Sequence, residues 1–108
     1  MPLKIGIAVG GEVTVDTPDG PLRLVLVRVD ASSVQFSVTQ RRRSRRITVG
    51  IATRMGHPRL VYQHDSGAVE LVIDRIAKKQ TRVGILVLAP KSWLIRWGYS
   101  GPVEGDRV

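Results

Sequence analysis

Cysteine is absent from this 108-residue chain. That excludes a disulfide framework, a thiolate nucleophile and any zinc site with cysteine ligands, and it suits a reducing compartment. Histidine is nearly as scarce: His57 precedes Pro58, His64 precedes Asp65, and no third ligand stands at a metal-binding spacing. Neither a metal nor a cofactor is expected. His64-Asp65-Ser66 names the components of a hydrolytic triad, but three adjacent turn residues cannot form a relay, and Gly10-Gly11 lacks the Gly-Lys-Ser/Thr end of a phosphate loop. The expectation is a protein without catalysis. No stretch approaches the roughly 18 apolar residues of a membrane span. The opening "MPLKIGIAVGGE" alternates rather than running apolar into a cleavage site. These two features predict a cytoplasmic protein that has no membrane partner. Runs of Ala, Leu, Glu and Lys that build helices are also lacking.

What the chain has is β-branched residues and positive charge. Seventeen Lys plus Arg against nine Asp plus Glu leave a formal charge of +8, more than solubility requires of so small a domain. Residues 1–53 and 54–108 each contribute +4, so the surplus is not a tail. A polyanionic partner is the working hypothesis.

Period-2 alternation marks the strands. Leu3, Ile5, Ile7 and Val9 form one, Val13 and Val15 another, and "DTPDGP" from Asp16 to Pro21 is a hairpin turn. Leu22 to Val29 is apolar on nearly both faces and predicts a central strand. Val34, Phe36 and Val38 come next, then the basic run Arg41 to Arg46, then Ile47, Val49 and Ile51. The second half repeats the plan. Superposing Leu22 on Val69, a displacement of 47 residues, also brings Leu24 onto Leu71, Leu26 onto Ile73, Arg28 onto Arg75, Phe36 onto Val83 and Val38 onto Ile85. The prediction is an all-β protein of two similar meander-like repeats, about five short strands each, over residues 1–52 and 53–99, packed as a single-chain pseudo-dimer with a tail at 100–108. A pseudo-dimeric monomer or a homo-oligomer are the assembly states expected.

Val69 to Trp97, "VELVIDRIAKKQTRVGILVLAPKSWLIRW", carries Arg82-Val83-Gly84-Ile85 and Ala89-Pro90-Lys91; Thr53-Arg54 stands ahead of Gly56, and Gly11-Glu12 opens the first half. On these motifs each repeat resembles the carbon storage regulator family of CsrA/RsmA type. The resemblance implies small five-stranded units that pair as intertwined dimers and bind GGA-containing loops of messenger RNA, with translation regulation as the function. The family's RNA-contacting arginine at the end of its last strand falls on Trp97 by strict spacing, and Arg96 is its nearest candidate.

The residues expected to meet RNA are therefore Arg41, Arg42, Arg43, Arg45 and Arg46, whose forked donors suit phosphates, with Arg54, Lys91, Arg96 and Trp97. Trp93, Ile95 and Trp97 stand at period 2 and share one face; tryptophans are more often core or dimer contacts, and the alternative is that the two rings stack unpaired bases. Two other readings use the same arginines. "QRRRSRRITVGI" resembles the R-x-x-x-R entry of PilZ-type cyclic dinucleotide receptors, with Arg42 and Arg46 as the pair, although that family's D-x-S-x-x-G is not present. Alternatively the arginines line the interface of a structural or assembly protein with a nucleoprotein particle.

Overall fold

The computed structural model describes residues 3–50, 58–76 and 82–99. The described regular elements are all strands: β1 (Leu3–Ala8), β2 (Gly11–Thr17), β3 (Gly20–Val29), β4 (Ser33–Gln40), β5 (Arg43–Gly50), β6 (Arg59–His64), β7 (Gly67–Ile76), β8 (Arg82–Leu88) and β9 (Ile95–Tyr99). They form two antiparallel sheets, ordered β1-β8-β7-β6 and β5-β4-β3-β2-β9. The all-β prediction holds, and β3 is the central strand of the larger sheet. No helix among the described residues is long and apolar enough to cross a membrane.

Alternation decides which face each strand buries. Leu22, Leu24 and Leu26 of β3 and Val34, Phe36 and Val38 of β4 turn inward, as do Val69, Leu71 and Ile73 of β7 and Val83, Ile85 and Val87 of β8. These side chains form one cluster drawn from both sheets, and no described polar side chain is buried in it. At β2–β3 the turn is built as the sequence suggests: Gly20 has φ 106°, and Thr17 Oγ1 donates to the Gly20 carbonyl at 2.7 Å.

The two halves of the chain do not each keep their own strands. β1 leaves the first half to pair with β8, and β9 leaves the second half to pair with β2. Each half completes the other's sheet, so apolar faces too small to fold alone share one core.

The internal correspondence is strongest at the long strands. Gly20–Val29 and Gly67–Ile76 are both ten residues, both come after a two-residue turn (Thr17 opposite Gly20, His64 opposite Gly67), and both carry an irregularity at the same place, between Leu26 and Arg28 and between Ile73 and Arg75. The 47-residue displacement does not extend to the next strand. Val29 pairs with Val34, but Ile76 pairs with Val83, so β4 corresponds to β8 at a displacement of 49 residues. Phe36 therefore matches Ile85 rather than Val83, because the connection in the second half is two residues longer. The turn "AKKQ" expected at 77–80 and the tail at 100–108 lie outside the described residues.

β5 is the counterpart of β1. Val49 and Ile47 pair with Val34 and Phe36 as Ile7 and Ile5 pair with Val83 and Ile85. At the next inward position Arg45, opposite Val38, stands where β1 has Leu3, opposite Val87.

Candidate nucleic-acid interface

The arginine run forms a hairpin. Gln40 pairs with Arg43, so Arg41 and Arg42 are the two turn residues between β4 and β5. Two-residue hairpin turns favour positive φ and hence Asn-Gly, Asp-Gly or Gly-Gly. Here Arg41 takes φ 59°. A side chain costs about 1–2 kcal/mol in this region, which glycine would avoid. The Arg41 guanidinium donates from Nε to the Asp19 carbonyl at 2.9 Å, fastening this hairpin to the β2–β3 turn.

Beyond the turn, strand alternation separates the arginines. Arg45 shares the inward face with Ile47 and Val49, while Arg46 lies outward with Ser44 and Thr48. Arg45 donates to the main-chain carbonyl of Val61 on β6, crossing from one sheet to the other. The guanidiniums of Arg42, Arg43 and Arg46 make no hydrogen bond or ion pair among the described residues, and none of the five guanidiniums is paired with a carboxylate there. Four described acids are ion-paired elsewhere, Asp74 with Lys4 at 3.1 Å, Glu12 with Arg23 at 2.5 Å, Asp30 with Arg28 at 3.2 Å and Asp16 with Arg96 at 2.7 Å, while the Asp19 carboxylate, near the hairpin, accepts from Tyr62. The hydrogen bond to Glu12, together with the charge of that carboxylate, raises the Arg23 pKa further. Uncompensated positive charge is thus concentrated on the β4–β5 hairpin.

That hairpin borders a cleft of about 890 Å³. Leu22, Val38 and Val61 provide its apolar floor, and Arg41, Arg42, Arg43 and Arg45 its rim. Tyr62 closes one side, donating from its hydroxyl to Asp19 Oδ2 at 2.5 Å. Partial burial, then the Asp19 hydrogen bond, push the phenol above its usual pKa of 10.0. Sequence reasoning missed Asp19, Val61 and Tyr62, because no local pattern announces a contact between residues 43 positions apart.

The remaining expected contacts do not join this cleft. Arg96 and Trp97 sit on β9, at the opposite edge of the same five-stranded sheet, four strand spacings or roughly 19 Å away. Arg96 faces outward against Asp16. Trp97 is 56% exposed and lines a second hollow with Ile7, Arg82 and Gly98. Lys91 is exposed in the turn after β8. Arg54 lies outside the described residues.

The two tryptophans divide between the two readings: Trp93 takes the core role and Trp97 stays exposed, so they do not make a shared stacking platform. β9 begins only at Ile95; Trp93 precedes it, with its amide bonded to the Pro90 carbonyl at 3.0 Å. Trp93 is in the core at 8% exposure and packs edge-on against Tyr62, ring centroids 5.9 Å apart. Of the two rings, Trp97 alone is open to a ligand.

His64 Nδ1 accepts from the Ser66 amide at 3.1 Å and lies 2.9 Å from Ser66 Oγ, a local turn arrangement. No group of three or more His, Cys, Asp or Glu among the described residues is placed to hold a metal. Comparison with protein-family models, curated proteins and solved structures finds no match to the chain.

Proposed function

We propose that this chain is a non-enzymatic, cytoplasmic RNA-binding protein that acts post-transcriptionally, as a single-chain counterpart of the carbon storage regulators. The observation that carries the reading is the β4–β5 hairpin, which holds five arginines without a carboxylate partner among the described residues, one of them at a positive φ that glycine would occupy at lower cost. Crowded like charges are relieved when a polyanion binds, and guanidiniums suit phosphate oxygens. The exchange of β1 and β9 between the halves adds support, because it is the connectivity an intertwined pair would have if its two subunits were fused. Trp97 would supply base stacking at the far edge of the sheet, and Arg96, on the other face, a cation if the ligand draws it from Asp16.

The cyclic dinucleotide reading needs Arg42 and Arg46 together. Arg42 lines the cleft, whereas Arg46 is outward on β5 and not among the cleft's lining residues. The RNA reading is therefore preferred. The deciding experiment titrates the purified chain with a GGA-loop RNA hairpin and, separately, with a cyclic dinucleotide, at several salt concentrations. Saturable RNA binding that weakens as salt rises is expected; saturable dinucleotide binding without RNA binding would refute the proposal.

A further inference from the structure

The two sheets differ by one strand. β2 is covered on its outer side by β9, but its counterpart β6 has no strand partner on that side among the described residues. The hairpin sets which backbone groups face out. His64 and Gly67 flank the two-residue turn as a bonded pair, so His64 and Tyr62 direct their amides and carbonyls at β7 while Gln63 directs its own away; the register slips at Val61, between Leu60 and Tyr62. The Val61 carbonyl is met by Arg45. Beside this edge runs the cleft with its apolar floor and arginine rim.

We propose that the β6 edge is a docking site for an extended acidic segment of a partner protein, which adds as a fifth strand and draws Arg45 from the Val61 carbonyl onto its own carboxylate. Charge selects the occupant. A second copy of this chain would bring its own arginine hairpin and +8 charge into the same groove. A neutral strand would have to displace the Arg45 guanidinium with nothing to receive it, the way an inward-pointing charge guards an edge against unwanted pairing. An acidic strand receives the guanidinium, satisfies the Gln63 amide and carbonyl, and sets its remaining side chains along the cleft rimmed by Arg41, Arg42 and Arg43. In strand addition of this kind, main-chain hydrogen bonds give affinity and side-chain contacts give specificity. The inference goes beyond the RNA reading and does not depend on it.

The probe is a fluorescein-labelled peptide, acetyl-Glu-Val-Glu-Val-Glu-Val-Glu-amide, titrated against the full chain. Two controls accompany it: the same peptide with Gln for Glu, and the acidic peptide N-methylated at alternate residues. Saturable binding of the acidic peptide, about tenfold tighter than either control, with slowed hydrogen exchange at the Gln63 amide, is expected. Equal binding of the N-methylated peptide overturns strand addition, since charge alone then suffices. No saturable binding of the acidic peptide overturns the proposal outright, as does a dimer in sedimentation whose Gln63 amide is already protected without peptide.

Arg45→Leu installs the residue type that β1 carries at the matching position, Leu3, and should shrink the preference for the Glu peptide over the Gln peptide to the smaller part that Arg41, Arg42 and Arg43 supply. A retained tenfold preference would remove Arg45 from the specificity role. If the variant fails to fold, the three peptides on the unaltered protein decide. Titration with the GGA-loop RNA reads the other proposal separately: RNA binding without peptide binding removes this inference alone, and the reverse removes the RNA reading alone.

Discussion

The hydroxyl of Tyr62 donates to Asp19 Oδ2 at 2.5 Å, tying the edge strand of the smaller sheet to a turn of the larger one. Tyr62→Phe should cost about 0.5–1.5 kcal/mol, the net worth of one hydrogen bond, measured as a shift of the denaturation midpoint at unchanged slope. The phenol's pKa is raised in the fold, so the protonated form is the one the fold favours. Its contribution is fully present below the ordinary value near 10 and is lost as pH rises through the higher folded value. The difference in stability between the wild type and Tyr62→Phe should therefore shrink above pH 10; a difference that grows there contradicts the assignment.

Replacing Arg41, Arg42, Arg43, Arg45 and Arg46 with Gln should keep the fold at a cost of about 1–3 kcal/mol, the two hydrogen bonds that Arg41 and Arg45 make to the Asp19 and Val61 carbonyls, since the other three exposed arginines contribute little. RNA affinity should fall, and the log–log salt slope should drop by roughly 0.7 for every phosphate on a single strand that the variant no longer neutralises. Unchanged affinity and slope would show that the hairpin is only a solvated edge. The β4–β5 turn allows a finer comparison: Arg41→Gly relieves the positive φ and should be neutral or slightly stabilising while still weakening RNA binding.

Trp93 and Trp97 should respond in opposite ways. Trp93→Ala empties a core position against Tyr62 and should cost about 3–5 kcal/mol of stability. Trp97→Ala removes an exposed ring, so the denaturation midpoint should move little, while RNA affinity should fall by about 1–3 kcal/mol if one base stacks there. RNA binding indifferent to Trp97 would confine the interface to the arginine hairpin.

Gly67 has no room for a side chain. A Cβ built there would collide with Pro90 Cγ and lie 3.4 Å from the Trp93 ring. Gly67→Ala should therefore destabilise by roughly 1–3 kcal/mol, because the proline ring must move and disturb the turn that holds Trp93. Its counterpart Gly20 has open space around it but φ 106°, so Gly20→Ala should lose stability through backbone strain instead. Thermal denaturation of the two variants, with Gly20→Asn as a residue better suited to positive φ, separates the causes: Asn should recover stability at position 20 and not at 67.

Much of the architecture was readable along the chain because strand alternation is a local signal. Leu22, Leu24 and Leu26 announce a buried face whatever they pack against, Thr17 to Gly20 announce a turn, and Arg41 to Arg46 announce a concentration of charge that no nearby acid offsets. The likeness of β3 and β7 was legible for the same reason. Past the ends of these long strands the correspondence was harder to read: the two additional residues between β7 and β8 move Phe36 onto Ile85, and an ungapped displacement of the sequence has no means of registering an insertion.

Pairing between distant strands belongs to the tertiary structure alone. A strand's apolar face fits any complementary neighbour, so nothing in Leu3 to Ala8 says that β1 joins β8, and nothing in Ile95 to Tyr99 says that β9 joins β2. Only the requirement that both apolar faces close over one core selects those partners. The same requirement brings Val61 and Tyr62 to Arg45 and Asp19, making a cleft from residues far apart in the chain. It separates Trp93 from Trp97 as well: the turn at Pro90 ends the alternation that would have put both rings on one face, sending the first into the core and leaving the second at the edge.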